Sequence, residues 1–355
     1  MDNLYSVYII ILSWNNYNDT RECLESLMNL SYGNFRIVLL DNGSSDNSLT
    51  KIKDWANNSG MHIVSYSRKE AENGGKTTHE NKLSHINSKK QLALIENGEN
   101  LGFAAGVNVG IQYALHSNAD YVWLLNNDTI VKEDSLDKLI NFLSANKSYS
   151  GVTPKIMKFD KPDEVWSMGC DFTFIGGLKR FGLKSIKDNE NYSKGYLNVS
   201  FITNCASVYP VELFKEVGLF SEDSFHGEED FDFSLRLKKY SYKLGCVKDA
   251  VVFHKNAQSV SWFSLIGKIY TEYLTRLLSI KKHYGSFYWI LWIVIFSERI
   301  LIKYLASLDL SFFEGLKLVR LLIYNSYKLD KINEKIFFDS LMIQESLKTK
   351  NVDSI

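Results

Sequence analysis

Short, uninterrupted apolar runs alternate with polar, helix-spaced segments through the N-terminal part of the chain. Val7–Leu12 is one such run, rich in β-branched residues, Leu92–Ile95 and Tyr121–Leu125 are others, and Phe35–Leu40 is a strand of the same kind broken only by Arg36. Runs of this length without polar interruption read as strands covered on both faces. Cys23, Leu24, Leu27, Met28 and Leu30 recur at helical spacing behind Asp19 or Thr20, either of which suits a helix N-cap. Further helices are predicted over about Ser48–Asn57 and Ala105–Ser117, and another strand at Met61–Tyr66. The order β-α-β-α-β-loop-β-α-β predicts an α/β fold: a Rossmann-like, mostly parallel sheet flanked by helices.

Two regions break this rhythm. Between Ser67 and Gln91 the only aliphatic residues are Ala71, Leu83 and Ile86, which predicts a mobile surface insertion over 67–91. Residues 151–260 mix short strands (Val165–Met168, Val199–Thr203, Val208–Pro210, Cys246–Phe253) with a helix at about Asp230–Tyr240. Beyond Trp262 the chain turns helical, aromatic and basic, so the expected division is a catalytic unit over 1–260 and a helical region over 261–355. Phe287–Phe296 is continuously apolar but about half the length a membrane-spanning helix needs. From Trp262 to Lys331 there are ten Lys/Arg against five Asp/Glu, and aromatic bulk beside cations suits an in-plane, peripheral membrane contact. A core helix or a homodimer interface is the alternative for that segment.

Composition narrows the function classes. With 41 basic and 41 acidic residues the formal net charge is zero, which gives no reason to invoke nucleic acid. The four cysteines, Cys23, Cys170, Cys205 and Cys246, have no CxxC spacing, so a zinc or redox motif is not expected, and reduced thiols in a cytoplasmic protein are. A strand begins almost at residue 5 without a basic leader, which argues against a secretory signal.

Polar clusters follow four of the strands: SWNN, DNGSSD, NLGFAAG and NNDT. Ligands of open parallel sheets bind at the carboxyl ends of strands. One such cluster alone is a turn signal; four in these positions point to a site.

These residues resemble glycosyltransferase family two, with its GT-A fold. The resemblance rests on Leu39–Asp46, on Asn100–Gly106 with Asn108 and Gly110, and on Trp123–Thr129. It rests also on Gly227–Asp232 with Arg236, and on Val251–His254. The subgroup most similar is the bacterial rhamnosyltransferases that act on lipid-linked or lipopolysaccharide glycans.

The resemblance implies a nucleotide-sugar donor held through its diphosphate by Mg²⁺ or Mn²⁺, hard cations that take oxygen ligands. Asp128 is the leading ligand. Asn126 stands where the family carries the first acid of its DxD pair, leaving one carboxylate where two are usual, and His254 matches the third metal-contact position. Asp41 would accept from the pyrimidine N3–H, with Ser13 and Asn15 lining the base or ribose pocket. Gly102 and Gly106 would let backbone approach the ligand, and the amides opening the next helix would face it. Asn100 and Asn108 are secondary contacts.

Inverting transfer needs a carboxylate to take the acceptor's proton. In HGEEDFDFSLR the family pattern assigns that base to Asp230, with Glu229 as an orienting neighbour; clustered acids repel and raise one pKa. Asp232 and Arg236, at i and i+4, are expected to form a structural ion pair. The loops Val165–Gly169 and Phe201–Ala206 would flank donor and acceptor.

The expected function is an inverting, metal-dependent glycosyltransferase acting at the inner face of the bacterial membrane. It would move L-rhamnose from dTDP-rhamnose to a lipid-linked or polysaccharide glycan of O-antigen or capsule. A UDP-glucose, UDP-galactose or UDP-N-acetylglucosamine donor is the rival within the class. A non-catalytic nucleotide-sugar-binding module is the rival outside it. A dinucleotide-dependent dehydrogenase is disfavoured, because SWNNYND rather than GxGxxG follows the first strand.

Overall fold

The computed structural model describes residues 5–174, 177–181, 195–255, 265–308 and 310–343. The expected boundary at 260/261 and the stretch from 344 to 355 lie outside the described residues. The first half runs β1 (Val7–Ser13), α1 (Tyr17–Leu27), β2 (Phe35–Asp41), α2 (Ser48–Asn58), β3 (His62–Ser67), α3 (Arg68–Glu72), α4 (Thr77–Leu83), β4 (Gln91–Glu96), α5 (Phe103–His116), β5 (Tyr121–Asn126), β6 (Thr129–Val131) and α6 (Ser135–Ala145). The remainder runs β7 (Tyr149–Lys158), β8 (Val165–Ser167), β9 (Cys170–Phe172), β10 (Leu178–Arg180), β11 (Tyr196–Val199), β12 (Ala206–Pro210), α7 (Leu213–Val217), α8 (Glu229–Lys239), β13 (Lys243–His254), α9 (Leu265–Leu308), α10 (Phe312–Lys328) and α11 (Glu334–Leu341).

The main sheet has the order β11-β13-β7-β12-β5-β1-β2-β4-β3. Strands β5, β1, β2, β4 and β3 are parallel, as the apolar runs predict, and β12 joins them antiparallel through β5. Alternation along β1 sends Val7, Ile9 and Ile11 into one core with α1 and α6, and Tyr8 and Ile10 into the other with α5. Each such buried aliphatic side chain is worth ~1.5–3 kcal/mol over exposure. Helix α5 sits close on β1 because it carries glycines on that face: a Cβ at Gly110 would meet Ile10 Cγ2 at 2.8 Å. The chain leaves β1 toward β2 and returns on the other side at β5, so β1 is a topological switch point, where open α/β sheets bind ligands. Register places Ser13 beside Asp41 and Leu12 beside Asn126, bringing the polar strand ends to one edge.

Two expectations change. The cap of α1 is Asn16, whose side chain accepts from Asp19 N at 3.4 Å, because Thr20 is already inside the helix and turned onto Ser13. The 67–91 segment, expected as a mobile insertion, is folded. Ser67 and Glu70 form a capping box on α3, Leu83 is fully buried, and Glu80 accepts from Tyr66 Oη at 2.6 Å, from Tyr113 Oη at 2.7 Å and from Arg36. Buried polar anchors hold it in place of an apolar stripe, and hydrophobic periodicity does not register them.

Helix α9 breaks at Gly285 (φ 82°, ψ 177°), a left-handed backbone conformation suited to glycine. Its first part and α10 and α11 share a third core with Phe231 and Leu235 of α8 and with Phe201. The C-terminal helices thus pack directly on the element that carries the acidic motif. Among the described residues no helix is long and apolar enough to cross a membrane.

Candidate active site

A cleft of about 540 Å³ opens at the carboxyl edge of the parallel strands. The β5–β6 turn delivers Asn126, Asn127 and Asp128 to its floor. Antiparallel pairing of β6 with β13 puts His254 opposite Thr129, and Lys255 N donates to Asp128 O at 3.0 Å. That register brings His254 Nε2 to 3.2 Å from Asp128 Oδ1, with both side chains under a tenth exposed. Trp166 packs edge-on against the imidazole at 4.6 Å between ring centroids. Burial disfavours a charged His254, but the adjoining Cys205 thiol and the Asp128 carboxylate outweigh it and push the imidazole pKa up.

The fit of a divalent cation can be tested on these atoms. Both ring nitrogens of His254 are buried, and apart from the 3.2 Å approach of Nε2 to Asp128 Oδ1 neither makes a hydrogen bond of good geometry, so one of them is open to a metal. No group of three or more His, Cys, Asp or Glu suited to a metal occurs among the described residues. A cation at Asp128 and His254 would therefore complete its shell with diphosphate oxygens and water, the usual habit of Mg²⁺ in nucleotide sites. The donor set fits.

Above the floor, Asn15 and Asn100 line the cleft. Asn15, in the left-handed region at φ 50°, ties the β1 loop to the β2 loop: its Oδ1 accepts from Ser45 N at 2.7 Å. Asn100 Oδ1 accepts from Asn42 Nδ2 at 2.8 Å and from Gly102 N at 3.1 Å. Asn42 also accepts from Asn97 Nδ2 at 3.0 Å, so this buried amide organises the whole 97–102 loop.

Other predicted residues stand elsewhere. Strand alternation aims Leu12 and Trp14 at the cleft and Ser13 away from it, where its hydroxyl meets Thr20 Oγ1 at 2.9 Å. Asp41 is buried at the end of β2, outside the cleft wall, with Oδ2 accepting from Ser44 N at 3.2 Å. Asn108 is also structural, bridging Phe220 and Glu222. Of the two glycines, Gly102 lines the cleft and Gly106 does not, and both also admit a close protein neighbour. A Cβ at Gly102 (φ 78°) would meet Phe225 O at 2.2 Å, and one at Gly106 would meet Leu12 Cδ1 at 2.7 Å. The first amide of α5 is likewise taken, Phe103 N donating to Phe225 O at 2.9 Å.

The acidic motif opens α8. Glu228 caps it at φ 68° and is gripped by Arg276 of α9 through bonds of 2.5 and 2.7 Å. Asp232 binds Arg236 at 2.7 Å as expected, and in addition Lys282 at 2.8 Å and His283 at 2.7 Å. Burial alone would raise the Asp232 pKa, but the bonds from His283 and Lys282 and the Arg236 charge hold it well below the usual carboxylate range. Glu229 lines the cleft; Asp230 stands beside it on the first turn, half-buried. Burial, reinforced by Asp230, pushes Glu229 up to about 8. Burial and the Glu228 charge push Asp230 up to about 6, against the pull of Arg276 and a hydrogen bond from Thr203. Two neighbouring carboxyls with separated proton affinities are a common arrangement for proton transfer.

Sequence reasoning marked the 165–169 and 201–206 loops, and Trp166, Thr203 and Cys205 do line the cleft. It missed Asn42, Asn127 and the aromatic rim of Phe225, His226, Phe337 and Phe338. Asn42, Asn127 and His226 lay within motifs already marked; nothing local pointed to Phe225, Phe337 and Phe338.

Comparison with known proteins follows this geometry. The family model described as glycosyl transferase family 2 matches residues 8–81 and 76–218. An uncharacterized glycosyltransferase of Rickettsia typhi is 25% identical over 67% of this chain and 61% of its own length. The low-salt glycan biosynthesis hexosyltransferase Agl10 of Haloferax volcanii is 22% identical over 54% of this chain and 61% of its own. The chain spans about three fifths of the length of these curated relatives. The crystal structure of GalNAc-T7 with UDP, GalNAc and Mn²⁺ superposes with a TM-score of 0.54 at 14% identity, covering 98% of this chain and 58% of that one, which is a likeness of fold. With a GT-A-like α/β architecture and a family match over more than half its length, the chain belongs to glycosyl transferase family 2.

Proposed function

We propose that the protein transfers a sugar from a nucleoside-diphosphate donor to a glycan hydroxyl in one inverting step. The observation that carries this reading is a single cleft holding both the Asp128–His254 pair and the Glu229 carboxyl. Asp128 and His254 would hold Mg²⁺ or Mn²⁺, which would supply positive charge for the departing diphosphate. The Asn15 and Asn100 loops seat the nucleotide. The acceptor oxygen attacks C1 on the face opposite the diphosphate. Asp230 takes the hydroxyl proton as the new C1–O bond forms and the C1–O bond to diphosphate breaks. Glu229, protonated near neutrality, donates a hydrogen bond that orients the acceptor. The fold match to a UDP- and Mn²⁺-bound transferase supports the donor and metal classes.

The NLGFAAG and NNDT forms favour dTDP-L-rhamnose as donor. The test is a panel of dTDP-rhamnose, UDP-glucose, UDP-galactose and UDP-N-acetylglucosamine with Mn²⁺, scored by slow donor hydrolysis and by melting temperature. The expected result is hydrolysis of dTDP-rhamnose with the largest rise in Tm. A preference for a UDP-sugar would move the donor within the class, and no response to any donor would contradict nucleotide-sugar use.

The acceptor, in this reading, is a lipid-linked or polysaccharide glycan met at the inner face of the cell membrane. Support comes from Phe287, Ile290 and Val294, spaced three and four apart on α9 and 75%, 54% and 64% exposed. Phe312 and Phe313, opening α10, are 55% and 81% exposed. Such aromatic and aliphatic exposure marks a contact surface. The protein is expected to float with vesicles rich in anionic lipid, and Phe287→Ser with Phe313→Ser to leave it in the pellet fraction. Failure of the native protein to float would remove the membrane contact.

A further inference from the structure

The family match ends at residue 218, yet the cleft wall continues with Phe225, His226, Phe337 and Phe338. These residues come from two places more than a hundred positions apart, and the backbone explains how they meet. Ile332 N donates to Asp223 O at 2.7 Å, and Phe225 N donates to Ile332 O at 2.8 Å, a one-residue parallel bridge. Helix α11 starts at once after it, capped by Asn333, whose side chain accepts from Ile336 N at 2.9 Å. Its position is therefore fixed relative to the loop that leads into Glu228 and Glu229.

The aromatic side chains then lock together. Phe337 is 5% exposed and has Phe225 at 5.4 Å, His226 at 5.7 Å and Phe338 at 5.4 Å between ring centroids. Phe338 has Phe225 at 5.9 Å and is half-buried, part of its surface turned to the cleft. Phe337 is the anchor, and Phe338 is the ring it presents.

We propose that Phe338 is the platform for the acceptor sugar, a specificity-determining residue supplied by the C-terminal helices. A pyranose ring carries hydroxyls at its edge and C–H groups on its faces. An aromatic ring buries such a face while leaving the edge to polar groups. Phe225 and His226 run directly into Gly227, Glu228, Glu229 and Asp230, so a sugar lying on Phe338 is beside Glu229, which orients it, and the neighbouring Asp230, which takes its proton. The occupant is a pyranose residue of the acceptor glycan. This role rests on the glycosyl-transfer reading above.

The test separates the two. Methyl glycosides of glucose, galactose, mannose, rhamnose and N-acetylglucosamine serve as acceptors for the native protein, Phe338→Ala and Phe338→Tyr. Slow donor hydrolysis is measured in parallel. The expected result is an acceptor KM raised about tenfold in Phe338→Ala with kcat little changed, recovery in Phe338→Tyr, and donor hydrolysis unaltered in both. An unchanged acceptor KM in Phe338→Ala, a donor KM that rises with it, or a native protein that hydrolyses donor but accepts none of the five glycosides would overturn the platform. Absence of donor hydrolysis in the native protein would instead overturn the transfer reading. Phe337→Ala is unsuited to the purpose, since that ring is in the core.

Discussion

Asp230→Asn is expected to reduce transfer by roughly 10²–10⁴-fold while leaving donor affinity within about twofold, the range found for removal of a general base. The amide keeps the shape of the side chain and its place beside Thr203, and removes only the ability to accept a proton. The native enzyme should lose activity as pH falls through about 6, where Asp230 takes up its proton. That acid limb should vanish in the variant. Stability supplies an independent sign. Because folding raises the Asp230 pKa above its unfolded value, its carboxylate destabilises the fold, fully so above about pH 6 and not at all below the unfolded value near 4. Asp230→Asn should therefore melt higher than the native protein at pH 7 to 8, with the gain disappearing toward pH 4. Glu229→Gln, which removes an orienting group, should cost less activity. If Glu229→Gln is the more damaging of the two, the base is Glu229, the carboxyl that lines the cleft.

Asp128→Asn should abolish the Mn²⁺-dependent part of donor binding and lower transfer by about 100-fold or more, several kcal/mol of charge stabilisation being at stake. With Asn already at position 126, Asp128 is the sole carboxylate of the NNDT turn. The substitution therefore leaves this turn without a negative charge. Calorimetric titration of dTDP with and without Mn²⁺ measures the effect. The native protein should bind the nucleotide more tightly with the ion present, and the variant should bind it equally weakly in both conditions. A metal-independent native affinity would contradict the assignment.

The parallel half of the fold was legible because its strands are covered on both faces. Val7–Leu12 is apolar throughout apart from the Tyr8 hydroxyl, and Arg36 is the one charged residue in Phe35–Leu40. Asn15, Asn100, Asn126 and Asp128 were legible as a set because each follows a strand end, and the sheet brings those ends to one edge. Ser13 misled because the β1 ladder runs one residue past the apolar run, and alternation then turns its hydroxyl toward α1. Gly102 and Gly106 announced a close approach, but a glycine does not say what approaches: Phe225 and Leu12 come nearest, and Gly102 lines the cleft as well. The 67–91 segment is held by Glu80 on Arg36, Tyr66 and Tyr113, a polar anchorage that leaves no periodic trace. Phe337 and Phe338 were beyond reach, since adjacent aromatics on a late helix read the same whether they fill a core or face a cleft. Only the bridge from Ile332 to residues 223–225 decides between those outcomes.

The grip of Asp128 and His254 on a cation is tested most directly by anomalous diffraction at the manganese edge, from crystals grown with dTDP and Mn²⁺. The account predicts one peak about 2.0–2.4 Å from Asp128 Oδ and from a ring nitrogen of His254, touching the diphosphate. A bound nucleotide whose manganese lies elsewhere, or that carries none, would contradict it.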